Sequence, residues 1–449
     1  MEKIKNKLLA LIKDNKILII ILLISFMASI FYSFHFQMKL KVDARAYDLI
    51  GWNLVQGNGY RESLDGSIER DYAITRIGPL YQFTLAGIYK IFGHHYEAVW
   101  IFHAILHTLT AWLMYLIAML IFKTNENKKK IALLATAIIG FYPDLIEISA
   151  MVLIETFYLF LFSLALYVFF RYFNKDNILS AVLLGLTFGL ATLTRPPVLF
   201  LIPIILFYFY QKKKLLLGAI FVVTLLLVFT PWTVRNYNMY DRVAPFGVGG
   251  AFNFWIGNYH GANGEQEPPA EAWAYAKEYG IIEMQDESIR QFTGFVKEYP
   301  LEFTKLTFLR ANKYFSIIRP MGWWFYQSGW GQFVMLLSSA IASIILLVFS
   351  LGGIIKSIKL NNEQLKYLTA FTIITPLIIF ITVIETRYRF QIYPLLAIFA
   401  SYFIVYLLNK KKFWLSKIFW IAVALIFGNG LLDMFLSWER FSGRLDKFF

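Results

Sequence analysis

Long apolar runs separated by short basic joints organise this chain. In order they are 17–36, 99–122, 131–141, 152–170, 178–193, 198–210, 215–232, 333–355, 367–384, 394–408 and 418–435. Uncharged runs of about 20 residues are the signature of helices crossing a hydrocarbon core roughly 30 Å thick. The weak period-two alternation of a membrane β-barrel is absent from the sequence. Lys and Arg mark every second joint, at Lys123 and Lys128–Lys130, Arg171 and Lys175, Lys212–Lys214, Lys356 to Lys366, and Lys410–Lys412. Under the positive-inside rule these joints are cytoplasmic. Lys3, Lys5, Lys7, Lys13 and Lys16 put the N-terminus inside as well, and no small-residue cleavage site follows the first run, which reads as an anchor rather than a removed signal. The C-terminus is then expected outside.

Two long polar segments, 42–89 and 233–330, both fall on the outer side of this topology. The expected layout is an N-terminal membrane region over 1–232 with an outer loop at 37–98, an extracytoplasmic segment over 233–330, and C-terminal membrane helices over 331–449. Runs 131–141 and 198–210 are too short for a full span. They predict broken or tilted helices lining a cavity, because irregular backbone at membrane depth survives only beside protein or water. Pro196 and Pro197 mark one such break. In the second outer segment, Gly257 to Gly264 reads as a turn-rich loop, Pro268-Pro269 precedes a helix around 271–279, and 288–315 has apolar residues at helical spacing interrupted by Pro300. Two amphipathic helices along the outer surface fit that spacing.

Composition supports this reading. The chain has 449 residues, 58% hydrophobic and 16% charged, far more apolar than a soluble domain. A formal charge of +14 would suit a nucleic-acid partner, but the lysines lie in the joints between apolar runs, where membrane anchoring accounts for them. With no cysteine there is no disulfide and no thiolate chemistry.

Ionisable residues near membrane depth are expensive and therefore candidates for function. This topology gathers them on one side: Asp43, Arg45, Asp48 and Arg76 in the first loop, Asp144, Glu147 and Glu155 around the fourth run, Arg195 at the Pro-Pro break, Arg235 after the seventh run, and Glu385-Thr386-Arg387-Tyr388-Arg389 after the ninth. A carboxylate there can take a proton from an acceptor hydroxyl, while guanidinium groups neutralise a phosphate leaving group. Nucleotide sugars are generally absent outside the cytoplasm, so an activated group would arrive on a lipid phosphate.

The ordered set Asp43-Ala-Arg-Ala-Tyr47, Gly57-Asn-Gly-Tyr60, Arg76-Ile-Gly-Pro79-Leu-Tyr81, Ile91-Phe-Gly93, Tyr142-Pro143 with Glu155, Leu193-Thr-Arg195-Pro-Pro197 and Glu385-Thr-Arg387-Tyr388-Arg389 through Pro394 resembles the GT-C glycosyltransferases of the protein-O-mannosyltransferase and aminoarabinose-transferase-like group. The resemblance covers roughly the first four hundred residues. It departs from the group at Asp43, where an Asp-Glu pair is usual and Ala44 follows here, and in lacking the large soluble domain of some members. It implies an all-α bundle of about eleven transmembrane helices with helices on the outer loops. It also implies transfer of a sugar, with inversion, from a polyprenyl-phosphate donor to a lipid, glycan or protein acceptor, with Asp43 as base. No cofactor is implied, and no motif supports a divalent metal.

Glu155 lies in an apolar run with no basic residue nearby in sequence. It reads as a second acid near the acceptor or as an arginine's partner. Arg76, Arg195, Arg387 and Arg389 are candidates for the donor phosphate, with headgroup contact as the plainer alternative. Tyr47, Tyr81, Glu385 and Tyr388 are candidates for substrate contact. Burial should raise the proton affinity of Asp43, and nearby arginines should oppose that shift. Asp48 points away from Asp43 if the segment is helical, and Asp144 and Glu147 read as solvated loop acids, with either joining Asp43 as the alternative. His103 and His107 have the i, i+4 spacing of metal ligands but no completing ligand, so they read as packed, hydrogen-bonded histidines. The aromatic cluster at 323–326 reads as an interface anchor, with stacking on a sugar ring as the alternative. The main rival from another class is a flippase or transporter of lipid-linked sugars; transporters usually show internal repeats and midplane charges, and this chain shows neither.

Overall fold

The computed structural model describes residues 15–68, 71–76, 78–175, 177–247, 249–319, 329–410 and 416–445. The basic residues Lys3 to Lys13 and the aromatic cluster at 323–326 lie outside them. All eleven apolar runs fall on helices. Among the described residues eight helices are long and apolar enough to cross a membrane, and nine spans result if one bent pair counts as one. The eight begin with α1 (Lys16–Phe36). The helix pair α2 (Asp43–Val55) and α3 (Pro79–Phe92) precedes α4 (Tyr96–Ile121). The bent pair is α5 (Lys128–Gly140) and α6 (Pro143–Ser149), set at 53°. Next come α7 (Ile154–Arg171), the shorter α8 (Ile178–Thr194), a 3-10 turn at Pro196–Leu201 leading into α9 (Ile202–Gln211), and α10 (Leu215–Tyr240). An expected count of about eleven thus depends on α8 and α9, which proline and length keep short, and on how the bent pair is counted.

The second long polar segment folds as α11 (Gly249–Ile256), α12 (Ala270–Tyr279), α13 (Ile281–Glu298) and α14 (Pro300–Tyr314). Pro300 starts α14, as a proline can where the first-turn N–H has no helical partner. This layer is more than amphipathic helices on a surface. Arg310 of α14 is fully buried and donates to the carbonyls of Gly257 and Phe380, the latter at 2.8 Å. It closes backbone groups left open where two helices end. The membrane region resumes with α15 (Gly329–Ser357), α16 (Glu363–Ile374), α17 (Leu377–Ile381), a 3-10 stretch at Thr386–Ile392, α18 (Tyr393–Leu408), α19 (Lys417–Leu436) and α20 (Trp438–Leu445).

Small residues set the closest packing. Gly185 and Gly189, four apart on α8, face α10; a Cβ at Gly185 would lie 2.6 Å from the Phe221 carbonyl oxygen. Such spacing lets two helix backbones approach where lipid gives no hydrophobic drive for association. In contrast, α1 leaves Ile17, Leu23, Met27 and Phe31 exposed, and α19 leaves Leu425, Leu431 and Phe435 exposed. Exposed apolar area of that extent is lipid-facing surface in a multi-pass membrane protein.

One sequence expectation is corrected here. Asp144 and Glu147 are not solvated loop acids; both are fully buried. Pro143 opens a short helix that turns back into the bundle, and Glu147 accepts a hydrogen bond from the Tyr32 hydroxyl at 3.1 Å. His103 and His107 are packed and hydrogen-bonded, to the Tyr81 hydroxyl at 3.1 Å and the Gly140 carbonyl at 3.2 Å.

Candidate active site

Asp43 is the first residue of α2, and the residue before it, Val42, has φ +46°. A β-branched residue rarely adopts that conformation, so the chain carries local strain beside the acid. The Arg76 guanidinium meets Asp43 Oδ1 at 3.1 Å, and Arg387 meets Oδ2 at 2.7 Å. Burial pushes the Asp43 carboxyl up, but Arg387, Arg76 and Arg195 outweigh it and hold the group below its ordinary value. The sequence left that contest open; the arginines win it. The same burial, with the Asp43 and Glu155 charges, raises the Tyr47 hydroxyl well above its usual range, so it stays neutral and able to donate.

Arg387 is the hub of the cluster. Besides Asp43 it holds Glu385 through Nε at 2.6 Å, and its Nη1 lies 3.6 Å from Glu155 Oε1. Glu155, in the first turn of α7, is fully buried, and Arg195 Nη2 also lies 3.6 Å from Oε1. These two arginines answer its charge, while neither carboxylate oxygen receives a hydrogen bond within the described residues.

Gly78 explains how distant segments converge. Its φ is +81°, and a Cβ there would lie 2.1 Å from the Thr194 carbonyl oxygen and 2.5 Å from Ile154. Only glycine lets the loop carrying Arg76 press against the residues beside Arg195 and Glu155. On the other flank, a lone parallel bridge between Glu265 and Ile384, with the Ile384 N–H donating to Gly264 at 3.0 Å, fixes the strand-like approach to Glu385 and Arg387.

Two cavities meet at this cluster. One is an apolar groove of about 210 Å³ between the Pro196-Pro197 turn and the broken helix at Ile378 to Val383, with Arg195 in its wall. The other is a more polar cavity of about 490 Å³ bordered by Asp43, Tyr47, Arg76 and Arg387. Asn253 and Tyr388 line both. The Arg195 guanidinium sits 5.2 Å from the Tyr388 ring centre, so a cation is held over an aromatic face where the two spaces join.

The structure therefore brings together Asp43, Tyr47, Arg76, Glu155, Arg195, Glu385, Arg387 and Tyr388. It places two other candidates elsewhere. Arg389 is buried with its guanidinium donating to the Ser316 and Arg319 carbonyls at 2.7 and 2.6 Å, and it lines neither cavity. Tyr81 is fully buried behind Tyr47, edge-on at 5.7 Å, and its hydroxyl bonds His103. Asp48 is structural: its carboxylate gathers Tyr89, His94 and Tyr96 at 2.7, 2.7 and 3.2 Å.

Sequence reasoning missed Glu62 and Asp71. Glu62 grips Arg76 with two bonds of 2.9 and 3.0 Å, fixing the guanidinium that faces Asp43. Asp71 accepts from the backbone N–H groups of Glu62, Ser63 and Ala73 at 2.7 to 2.8 Å and so closes the loop that presents both. The signal available was an acid in each half of a long loop otherwise rich in turns. Among the described residues no group of three or more His, Asp or Glu side chains is arranged to hold a metal.

The helical membrane bundle has a GT-C-type fold. Within it, residues 77–234 match the family model described as dolichyl-phosphate-mannose-protein mannosyltransferase. Among solved structures the chain resembles the oligosaccharyltransferase AglB of Archaeoglobus fulgidus in complex with an inhibitory peptide and a dolichol-phosphate. That match has a TM-score of 0.52 at 14% identity, covering 96% of this chain and 56% of that one. An oligosaccharyltransferase of Archaeoglobus fulgidus in the apo form gives a TM-score of 0.51 at 13% identity, covering 95% and 55%. ArnT from Cupriavidus metallidurans, bound to undecaprenyl phosphate, gives 0.48 at 14% identity, covering 93% and 64%. The likeness is one of fold, and the chain spans about half the length of the archaeal enzyme. Among curated proteins, the sequence search found no match.

Proposed function

We propose that this protein transfers a sugar from a polyprenyl-phosphate donor to an acceptor hydroxyl on the extracytoplasmic side, with inversion at the anomeric carbon. The observation that carries the reading is the meeting of an apolar groove and a polar cavity at one carboxylate flanked by arginines. The isoprenoid tail lies in the groove beside Pro196 and Pro197, and the phosphate sits at the junction, within reach of Arg195 and Arg387. The matched family's lipid-phosphate donor and the dolichol-phosphate carried by the archaeal enzyme support this assignment.

In the reaction, Asp43 takes the proton of the acceptor hydroxyl and the acceptor oxygen forms a bond to the anomeric carbon. The bond from that carbon to the phosphate oxygen breaks on the opposite face. The polyprenyl phosphate leaves with the electron pair, its added charge met by fixed guanidinium groups. Arg387 serves both ends: when it turns toward the phosphate, its hold on Asp43 weakens and the carboxylate becomes a better base.

The test is turnover of polyprenyl-phosphate sugars by purified protein in lipid nanodiscs. Replacing Asp43 with Asn should cost about 10²- to 10⁴-fold in rate. Full turnover by that variant would remove Asp43 from the mechanism, and movement of the lipid across the bilayer without bond transfer would identify a flippase instead.

A further inference from the structure

The polar cavity continues well past the reacting carboxylate, and its far wall differs in chemistry from its near one. Its charged lining side chains, Asp43, Arg76 and Arg387, all stand at one end and are paired with one another. The remainder of the wall is uncharged. It includes Tyr72 and Trp273, 46% and 51% exposed, and Phe252, whose ring meets the Trp273 indole at 5.4 Å and 60°. The carboxamide of Gln266 lines the same cavity, and that of Asn253 lines it where it meets the apolar groove. Neither amide hydrogen-bonds to another described residue. An indole half open to water, at the rim of a polar cavity, is an apolar plane with nothing of the protein laid on its outer part.

From this geometry we infer that the far end of the cavity binds the terminal unit of an uncharged saccharide, making a glycan the acceptor. The inference rests on the transferase reading only for the word acceptor; the binding site stands on its own. A sugar ring offers a patch of C–H groups to an aromatic face and a belt of hydroxyls that both donate and accept. Planar amides, with a donor and an acceptor side by side, match that belt. An acidic, basic or phosphorylated ligand would find no free countercharge on this wall.

Tyr72 also lines a broader cleft of about 680 Å³ beside Asn238, Asp241, Arg242, Lys277 and Glu283. That cleft carries charges of both signs and opens to solvent. Tyr72 thus stands where a chain of sugar units passes from the reacting end outward. A chain running through it places its terminal hydroxyl toward Asp43 and its remaining units in water.

The experiment is saturation-transfer NMR on the full chain in nanodiscs, with neutral mannose, glucose and N-acetylglucosamine trisaccharides and, separately, an uncharged Ser- and Thr-containing peptide. At least one trisaccharide should bind, with Trp273→Ala weakening it about tenfold and Trp273→Phe restoring most of it. Gln266→Ala, at an exposed position, should weaken the same ligand without altering thermal stability. Binding that persists while turnover is absent in every assay keeps the saccharide site and overturns the transferase reading. No binding by any trisaccharide, binding indifferent to Trp273→Ala, or binding of the peptide at the same wall would each overturn the saccharide site.

Discussion

Replacing Arg387 with Gln tests the cluster at its centre. This one guanidinium faces Asp43 at 2.7 Å, Glu385 at 2.6 Å and Glu155 at 3.6 Å, so its removal has two separable effects. The first is kinetic. Losing a fixed donor aimed at developing charge typically costs 10²- to 10³-fold in rate, or about 2.7 to 4 kcal/mol. The second is a change in the base. Arg387 is the leading cause holding the Asp43 carboxyl down, ahead of Arg76, so without it the carboxyl titrates higher. Because a base works only when deprotonated, the acidic limb of kcat/KM must move to higher pH. The variant also leaves the buried Glu155 with Arg195 alone, and breaking a buried ion pair costs on the order of 3 to 5 kcal/mol, so thermal unfolding is run beside the kinetics. The assay is transfer of labelled sugar from a polyprenyl-phosphate donor over a pH series. A folded variant with an unmoved acidic limb would refute the coupling between Arg387 and Asp43, and one with native rates would refute the whole site.

Three further outcomes follow from the geometry. Gly78→Ala should lower stability by about 1 to 3 kcal/mol and reduce turnover, because its Cβ meets the Thr194 carbonyl and its φ is left-handed; unaltered melting in nanodiscs would contradict that contact. Glu265→Ala should destabilise by about 3 to 5 kcal/mol, since it strips the shared carboxylate from Lys313 at 2.7 Å and Arg319 at 3.0 Å; chemical denaturation reads the change. Asp43, with its folded value depressed, contributes stability that is complete above the unfolded carboxylate value of about 3.9 and is lost as pH falls through the lower folded value. The difference in melting temperature between native protein and Asp43→Asn should therefore shrink on acidification below that value, and a constant difference would count against the ion pairs.

The bundle and the acid with its arginines were legible because each depends on a pattern that survives in one dimension. Apolar runs with basic joints mark membrane helices, and an acid or arginine at a helix break is costly enough to be noticed. Arg389 shows what does not survive. It lies two residues after Arg387 in a 3-10 turn, where three residues make a full turn, so the two side chains leave the backbone about 120° apart. One enters the site and the other ties down Ser316 and Arg319. Asp144 and Glu147 were misread because a proline followed by acids looks the same whether the chain runs out into water or turns back into the bundle. Glu62 and Asp71 were missed for another reason: the fold of the loop alone decides that Glu62 meets Arg76 and that Asp71 meets backbone N–H groups, which carry no residue identity.

Asn253 and Tyr388 belong to both cavities, and that shared wall has a consequence for measurement. With the proposed lipid-linked donor and glycan acceptor, one ligand would reach the junction by lateral diffusion in a two-dimensional sheet, the other by diffusion through bulk solution. Saturation with donor should follow its mole fraction in the lipid and respond to dilution with inert lipid at constant total volume. Saturation with acceptor should follow ordinary molarity and ignore that dilution.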